Sequence, residues 1–112
     1  MMESVKLATL AREALLSKKG ERVAVFDVRG ASPVTDYYVV ASGATAPQLK
    51  AMAGAVAAGL KEAGEHRYRQ SGAPDDGWVV LDCIDVVIHI FLQELREYYA
   101  IEELWEDSPR VA

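Results

Sequence analysis

The run from Gly77 to Trp105, GWVVLDCIDVVIHIFLQELREYYAIEELW, constrains the fold more than any other part of the chain. It predicts two strands joined at a tight turn around Cys83 and Ile84, then a short amphipathic helix ending in Leu104-Trp105. With Asp82 and Asp85 flanking a two-residue turn, antiparallel pairing sets Leu81 against Val86, Val80 against Val87, Val79 against Ile88 and Trp78 against His89. Side chains alternate across a strand, so the ribbon sorts into two faces. Val79, Leu81, Val86, Ile88 and Ile90 share one face, all aliphatic, and require a core. Trp78, Val80, Asp82, Asp85, Val87, His89 and Phe91 share the other, a mixture of aromatic, aliphatic, ionic and imidazole groups suited to selective contact.

The rest of the chain supplies elements to complete a sheet. Ser4 is placed to cap a first helix with the broad stripe Val5, Leu7, Ala8, Leu10, Ala11, Ala14 and Leu15, which Gly20 stops after Lys18-Lys19. Arg22–Val28 and Asp36–Ser42 read as strands around the turn Gly30-Ala31-Ser32-Pro33. Thr45 and Gln48 have capping-box spacing and Pro47 is tolerated in a first turn, so a second helix runs to Ala63 and stops at Gly64. His66–Gln70 reads as a short strand and Ser71–Gly77 as a polar loop. The order α-β-β-α-β-β-β-α predicts one small α/β domain over residues 1–112, with an ordered core from about residue 4 to 106. Its mixed sheet should have about five strands, with helices mainly on one face.

Composition narrows the class. A chain of 112 residues suits one domain, and 51% apolar with 26% charged residues is ordinary for a soluble globule. No apolar run is long enough to span a bilayer, and Glu3, Lys6, Arg12 and Glu13 interrupt the N-terminal apolar positions as no secretion signal would allow. A lone cysteine, Cys83, forms neither an internal disulfide nor a thiolate pair, which points to a reducing cytoplasm. The net charge is −5, and Glu94, Glu97, Glu102, Glu103, Glu106 and Asp107 crowd the last stretch against Arg96. Such a surface disfavours phosphate backbones, so any role near RNA should run through a basic protein rather than direct nucleic-acid contact.

The segments Asp82-x-x-Asp85-Val86-Val87-x-His89, then Arg96, Tyr99, Glu102, Leu104 and Trp105, resemble the C-terminal signature of the ribosomal silencing factors, the Iojap-like family. Phe26-Asp27-Val28-Arg29-Gly30, Ser32, Thr35-Asp36 and Ala41-Ser42-Gly43 resemble its N-terminal signature, so the likeness covers roughly residues 5 to 106. The resemblance implies a mixed-sheet α/β fold similar to nucleotidyltransferases. It also implies docking on the large ribosomal subunit through large-subunit ribosomal protein fourteen, at the intersubunit face, where the small subunit is sterically kept from joining. One departure stands out: the family usually has Gly where this chain has Ile84. A type I′ turn needs positive φ at both central residues, so either the turn has another geometry or the loop is longer than two residues.

The fold likeness also raises a divergent nucleotidyltransferase or nucleotide-binding module. Ser42-Gly43 running into a helix N-terminus at Thr45 offers N–H groups to a phosphate, but Mg²⁺ chemistry needs carboxylates converging from one strand. Asp82 and Asp85 lie three apart across a turn, a spacing that suits capping of turn N–H groups. With only His66 and His89 and no cysteine pair, no metal site is expected, and no cofactor and no catalytic residue are assigned. Partner contact is expected on Trp78, Val80, Val87, His89 and Phe91, joined by Leu95, Tyr98 and Tyr99 from the last helix. Asp82, Asp85, Glu94 and Glu102 would supply charge complementarity. The same apolar face could pair with a second copy, as a free homodimer or a plain homodimeric adaptor. Trp78→Glu is then expected to weaken both associations at little cost in stability.

Overall fold

The computed structural model describes residues 2–105 and 108–111. The end of the expected ordered core at residue 106, with the acids Glu106 and Asp107, lies outside the described residues. The elements are α1 (Ser4–Ser17), β1 (Glu21–Asp27), β2 (Tyr37–Gly43), α2 (Ala46–Glu62), β3 (Arg69–Ala73), β4 (Trp78–Asp82), β5 (Val86–Leu92) and α3 (Gln93–Tyr99). Short 3-10 segments occupy Pro74–Asp76 and Ile101–Trp105. The five strands form one mixed sheet in the order β1-β2-β5-β4-β3. β2 and β5 run parallel at its centre, joined by a crossover through α2 and the β3–β4 pair, and every other pairing is antiparallel.

The aliphatic face packs as its alternation requires. Val79, Leu81, Val86, Ile88 and Ile90, with Val39 and Ala41 of β2, are buried under Leu7, Ala11 and Leu15 of α1 and Leu49, Met52, Val56 and Leu60 of α2. Fully burying one Leu, Ile or Val side chain contributes about 1.5–3 kcal/mol, so this layer supplies most of the fold's hydrophobic stabilisation. The Thr45 cap forms, its Oγ1 accepting from the Gln48 N–H at 3.2 Å. Gln48 reaches back to accept from Ala44 N–H at 2.7 Å and donates to the Lys18 and Lys19 carbonyls at 3.2 and 3.0 Å, tying the end of α1 to the start of α2. Ser4, by contrast, is the first helical residue rather than the cap; Glu3 holds that position without a side-chain cap bond. The left-handed residue after α1 is Lys19, with φ 62°. Gly20 serves close approach instead, because a Cβ there would lie 2.8 Å from the Leu15 carbonyl oxygen and 2.9 Å from Met52 Cε.

One strand and one register differ from expectation by more than a residue. β3 covers Arg69–Ala73 rather than His66–Gln70, so much of the expected Ser71–Gly77 loop is strand. It is a sheet edge with four of its five residues exposed, so no hydrophobic alternation marks it. Gly72 (φ 76°) is required there: a Cβ would overlap the Trp78 carbonyl oxygen. In the hairpin, Trp78 pairs with Phe91, Val79 with Ile90, Val80 with His89, Leu81 with Ile88 and Asp82 with Val87. This register is two residues from the expected one. A shift of two preserves parity, so both faces keep their members; a shift of one would have exchanged them.

The turn itself explains the shift. Cys83 N–H donates to the Val86 carbonyl at 2.8 Å, and Asp85 N–H to the Cys83 carbonyl at 2.9 Å, tightening the chain around Ile84 at φ 72°. Asp82 Oδ1 accepts from Ile84 N–H at 2.9 Å. The Asp85 carbonyl accepts from the N–H groups of Asp36 and Tyr37 at 2.8 and 3.2 Å, fastening the hairpin tip to the start of β2. A left-handed conformation costs an L-residue about 1–2 kcal/mol, and the Ile84 side chain is 54% exposed, so it recovers little by packing. Ile84→Gly is therefore expected to raise the unfolding free energy by about 0.5–1 kcal/mol after glycine's larger unfolded-state entropy is subtracted. A higher urea midpoint with unchanged slope is the expected result; a lower midpoint would mean the isoleucine packs against a neighbour.

Candidate functional site

The mixed face comes together from four strands. Parallel pairing sets Tyr38 beside Val87, Val40 beside His89 and Ser42 beside Phe91, while β4 brings Val80 opposite His89 and Trp78 opposite Phe91. At one end the face is roofed. Leu95, Ile101 and Trp105 pack over Phe26, Val28, Val40 and Phe91. The helix expected to run unbroken to Trp105 ends at Tyr99; Ala100, at φ 46°, turns the chain so that Ile101–Trp105 folds back over the sheet. Both long helices thus lie on the aliphatic face, and only this short α3 unit covers part of the other.

Arg96 holds that roof down. Its side chain is 2% exposed, and Nε and Nη2 grip Glu102 at 2.6 and 2.9 Å while Nη1 donates to Ser42 Oγ at 2.7 Å. A planar guanidinium matched to a carboxylate in this bidentate way is among the stronger polar contacts a protein makes. The Arg96 hydrogen bonds hold the Glu102 carboxyl below the usual glutamate range, against the opposing effect of burial. Glu102 is therefore committed within the chain, which corrects its expected role as a free charge for a partner. Ser42, considered beside a phosphate site, has its hydroxyl turned inward to the same guanidinium.

His89 sits at the centre of an aromatic cluster. Trp78 Nε1–H donates to its Nδ1 at 3.2 Å, and its ring lies 5.9–6.0 Å from those of Tyr38, Trp78, Phe91 and Trp105. Burial pushes the His89 pKa from 6.5 down to about 4, with the Asp82 carboxylate pulling weakly the other way. The imidazole is neutral at pH 7, accepting at Nδ1 and carrying its proton on Nε2. A base whose folded pKa is depressed binds fewer protons folded than unfolded between the two values. Its stabilising effect is thus complete above pH 6.5 and lost as pH falls toward 4. The His89 ring protons are expected to show no NMR titration near pH 6.5, and stability should decline below that pH less steeply in His89→Asn. A His89 that titrates at 6.5 would contradict the burial.

The expected contact residues divide by exposure. Tyr98 and Tyr99 are 78% and 50% exposed; Asp82 and Asp85 are exposed, and Trp78, Val80, Val87 and Leu95 are half-buried. Phe91 and His89 are buried and form the floor of the face, not its surface, which corrects their expected place in the contact. Trp78 is not a free surface residue either. It stacks on Phe91 at 4.8 Å, touches Tyr99 at 5.0 Å and bonds His89, so Trp78→Glu must cost stability, against expectation. Trp105, which the C-terminal signature includes, stacks at 3.7 Å and 16° on Tyr38, a member of the face that escapes sequence reading because only the β2–β5 pairing brings it there. Leu104, next to Trp105 in sequence, is 76% exposed. The Cys83 thiol is buried, and that burial, with Asp82 nearby, pushes its pKa up to about 12, so it has no thiolate character. Among the described residues no group of three or more His, Cys, Asp or Glu side chains is placed to hold a metal ion.

A central parallel strand pair, an aliphatic face under two helices and an aromatic face half-roofed by a C-terminal turn define a small α/β protein built on a mixed five-stranded sheet. The same architecture occurs in a crystal structure of a Chromobacterium violaceum protein, at a TM-score of 0.88 and 38% identity over 93% of this chain and 87% of that one. The family described as ribosomal silencing factor during starvation matches residues 1–112. A ribosomal silencing factor from Halalkalibacterium halodurans is 34% identical over 98% of this chain and 94% of its own length. A mouse protein named mitochondrial assembly of ribosomal large subunit protein 1 is 32% identical over 82% of this chain and 42% of its own. The chain belongs to the ribosomal silencing factor family.

Proposed function

We propose that this chain acts as a single unit in the cytoplasm, docking on the large ribosomal subunit and sterically blocking the small subunit from joining. The observation that carries the reading is the full-length family match, together with relatives named as silencing factors. The name of the mouse relative speaks for the large subunit as the side engaged. The partner surface is that of large-subunit ribosomal protein fourteen, a basic protein facing the small subunit, and the contact is the aromatic face. Val80, Val87, Trp78, Tyr98 and Tyr99 supply apolar area, the buried Phe91 and His89 support them from beneath, Leu95 borders them from the roof, and Asp82, Asp85 and Glu94 provide the charge. Two chemical facts favour this face: half-exposed aromatics are enriched at recognition surfaces, and acidic neighbours speed encounter with a basic partner. The chain measures 33 × 32 × 21 Å, so a broad side spans on the order of 1,000 Å², against the roughly 800 Å² per partner of a typical stable interface. Exclusion of a rigid subunit requires no reaction, only occupancy.

No helix among the described residues is long and apolar enough to cross a membrane. Without ribosomes, the same face would pair two copies about a two-fold axis, and docking would displace that pairing. The docking reading is tested by sedimentation with purified subunits. The protein is expected in the pellet with isolated large subunits and in the supernatant with small ones; equal binding to both, or to neither, would sink it.

A further inference from the structure

Beside α3, the aromatic face opens into a cleft of about 350 Å³ lined by Gly72, Asp76, Trp78, Val80 and Tyr99. Its chemistry is unlike that of the rest of the face. The Trp78 and Tyr99 rings meet at 5.0 Å and 40°, forming a corner of two π surfaces. The indole N–H of Trp78 is already given to His89, so the cleft retains the ring face and no donor from that side chain. Gly72 contributes no side chain, and none fits: its φ of 76° and the Trp78 carbonyl oxygen exclude a Cβ. The one ionic group in the lining is Asp76, which is exposed and takes part in none of the ion pairs or side-chain hydrogen bonds found among the described residues.

We infer that this cleft receives a single arginine side chain of the partner, its guanidinium over the Trp78–Tyr99 corner and hydrogen-bonded to the Asp76 carboxylate, its stem along Val80. An aromatic wall attracts a cation through the ring quadrupole, most strongly for Trp. A carboxylate at the rim selects a cation over a neutral or anionic group. Arginine suits the pair better than lysine, because its planar, weakly hydrated head both stacks on a ring and presents a fork to a carboxylate. The inference rests on the reading that this face docks on a basic protein, and it assigns Asp76, which lies outside the hairpin and the last helix, a specificity-determining contact.

The test uses the full chain, ¹⁵N-labelled, titrated with acetyl-Gly-Arg-Gly-amide and with its lysine and citrulline counterparts. The arginine peptide is expected to shift the Trp78 indole N–H and the amides of Gly72 and Tyr99, with the citrulline peptide at least about tenfold weaker. Asp76→Asn, a change at an exposed side chain, should weaken arginine-peptide binding and large-subunit affinity each by about tenfold while leaving the melting temperature unchanged. Equal shifts from the citrulline peptide would reduce the cleft to an apolar groove and overturn the inference. Equal binding of the lysine peptide would overturn the assignment to arginine. If Asp76→Asn keeps full large-subunit affinity while Val80→Glu loses it, the cleft falls and the docking face stands. Arginine-selective shifts in a protein that binds no subunit would uphold the cleft and remove the docking reading.

Discussion

Arg96→Ala is expected to lower the unfolding free energy by about 3–5 kcal/mol, the usual effect of removing one partner of a buried ion pair. The reason lies in what the guanidinium leaves behind. Glu102, half-buried within the roof, would lose the guanidinium that pairs both of its oxygens, and Ser42 Oγ, buried between β1, β5 and α3, would lose its donor. At this chain length the loss corresponds to a fall in melting temperature of roughly 10–20 °C. Arg96→Lys should recover part of it, since an ammonium restores charge but not the two-pronged geometry. The pH dependence is a second signature. Glu102 has a folded pKa below its unfolded one, so its contribution is complete above the ordinary glutamate value and disappears as pH falls through the lowered value. The stability gap between the parent and Glu102→Gln should be widest at neutral pH and close in acid. A loss below 1 kcal/mol in Arg96→Ala would show that the roof is held by Leu95, Ile101 and Trp105 alone.

The second large effect concerns binding. Val80→Glu combined with Val87→Glu is expected to reduce large-subunit affinity at least about 100-fold, because two carboxylates would be desolvated at the centre of the proposed contact. Both valines are half-buried and neither belongs to the enclosed Phe91 layer, so folding should suffer by no more than about 2 kcal/mol. They replace Trp78→Glu as the informative change, since Trp78 is bound into the stack with Phe91 and to His89. Leu16→Glu on α1, which packs on the opposite side of the sheet, is the matched control and should leave binding unchanged. Loss of affinity in the control and not in the valine pair would move the docking face to the helical side.

What could be read in advance followed the range of the interaction. The two faces of the hairpin were legible because alternation with period two survives a register shift of two. The register was not, because it depends on one residue, Ile84, adopting a left-handed conformation that its side chain disfavours. The start of α2 was legible from Thr45 and Gln48, three positions apart; the reach of Gln48 to the end of α1 was not. β3 was expected three residues early, at His66–Gln70, since an exposed polar edge carries no hydrophobic period to fix its bounds. For the site, the members of the aromatic face on β4 and β5 were visible, but their depth was not. Phe91 and Trp78 lie deeper than alternation implies because Arg96, 54 residues from Ser42 in sequence, draws α3 over them.

The account stands or falls on subunit joining. Large subunits saturated with this protein, then mixed with small subunits under associating conditions and resolved on a sucrose gradient, should yield joined ribosomes only in proportion to the unoccupied fraction. The Val80→Glu, Val87→Glu protein should leave joining intact. Normal joining by large subunits shown to carry the bound protein would contradict steric silencing through the aromatic face.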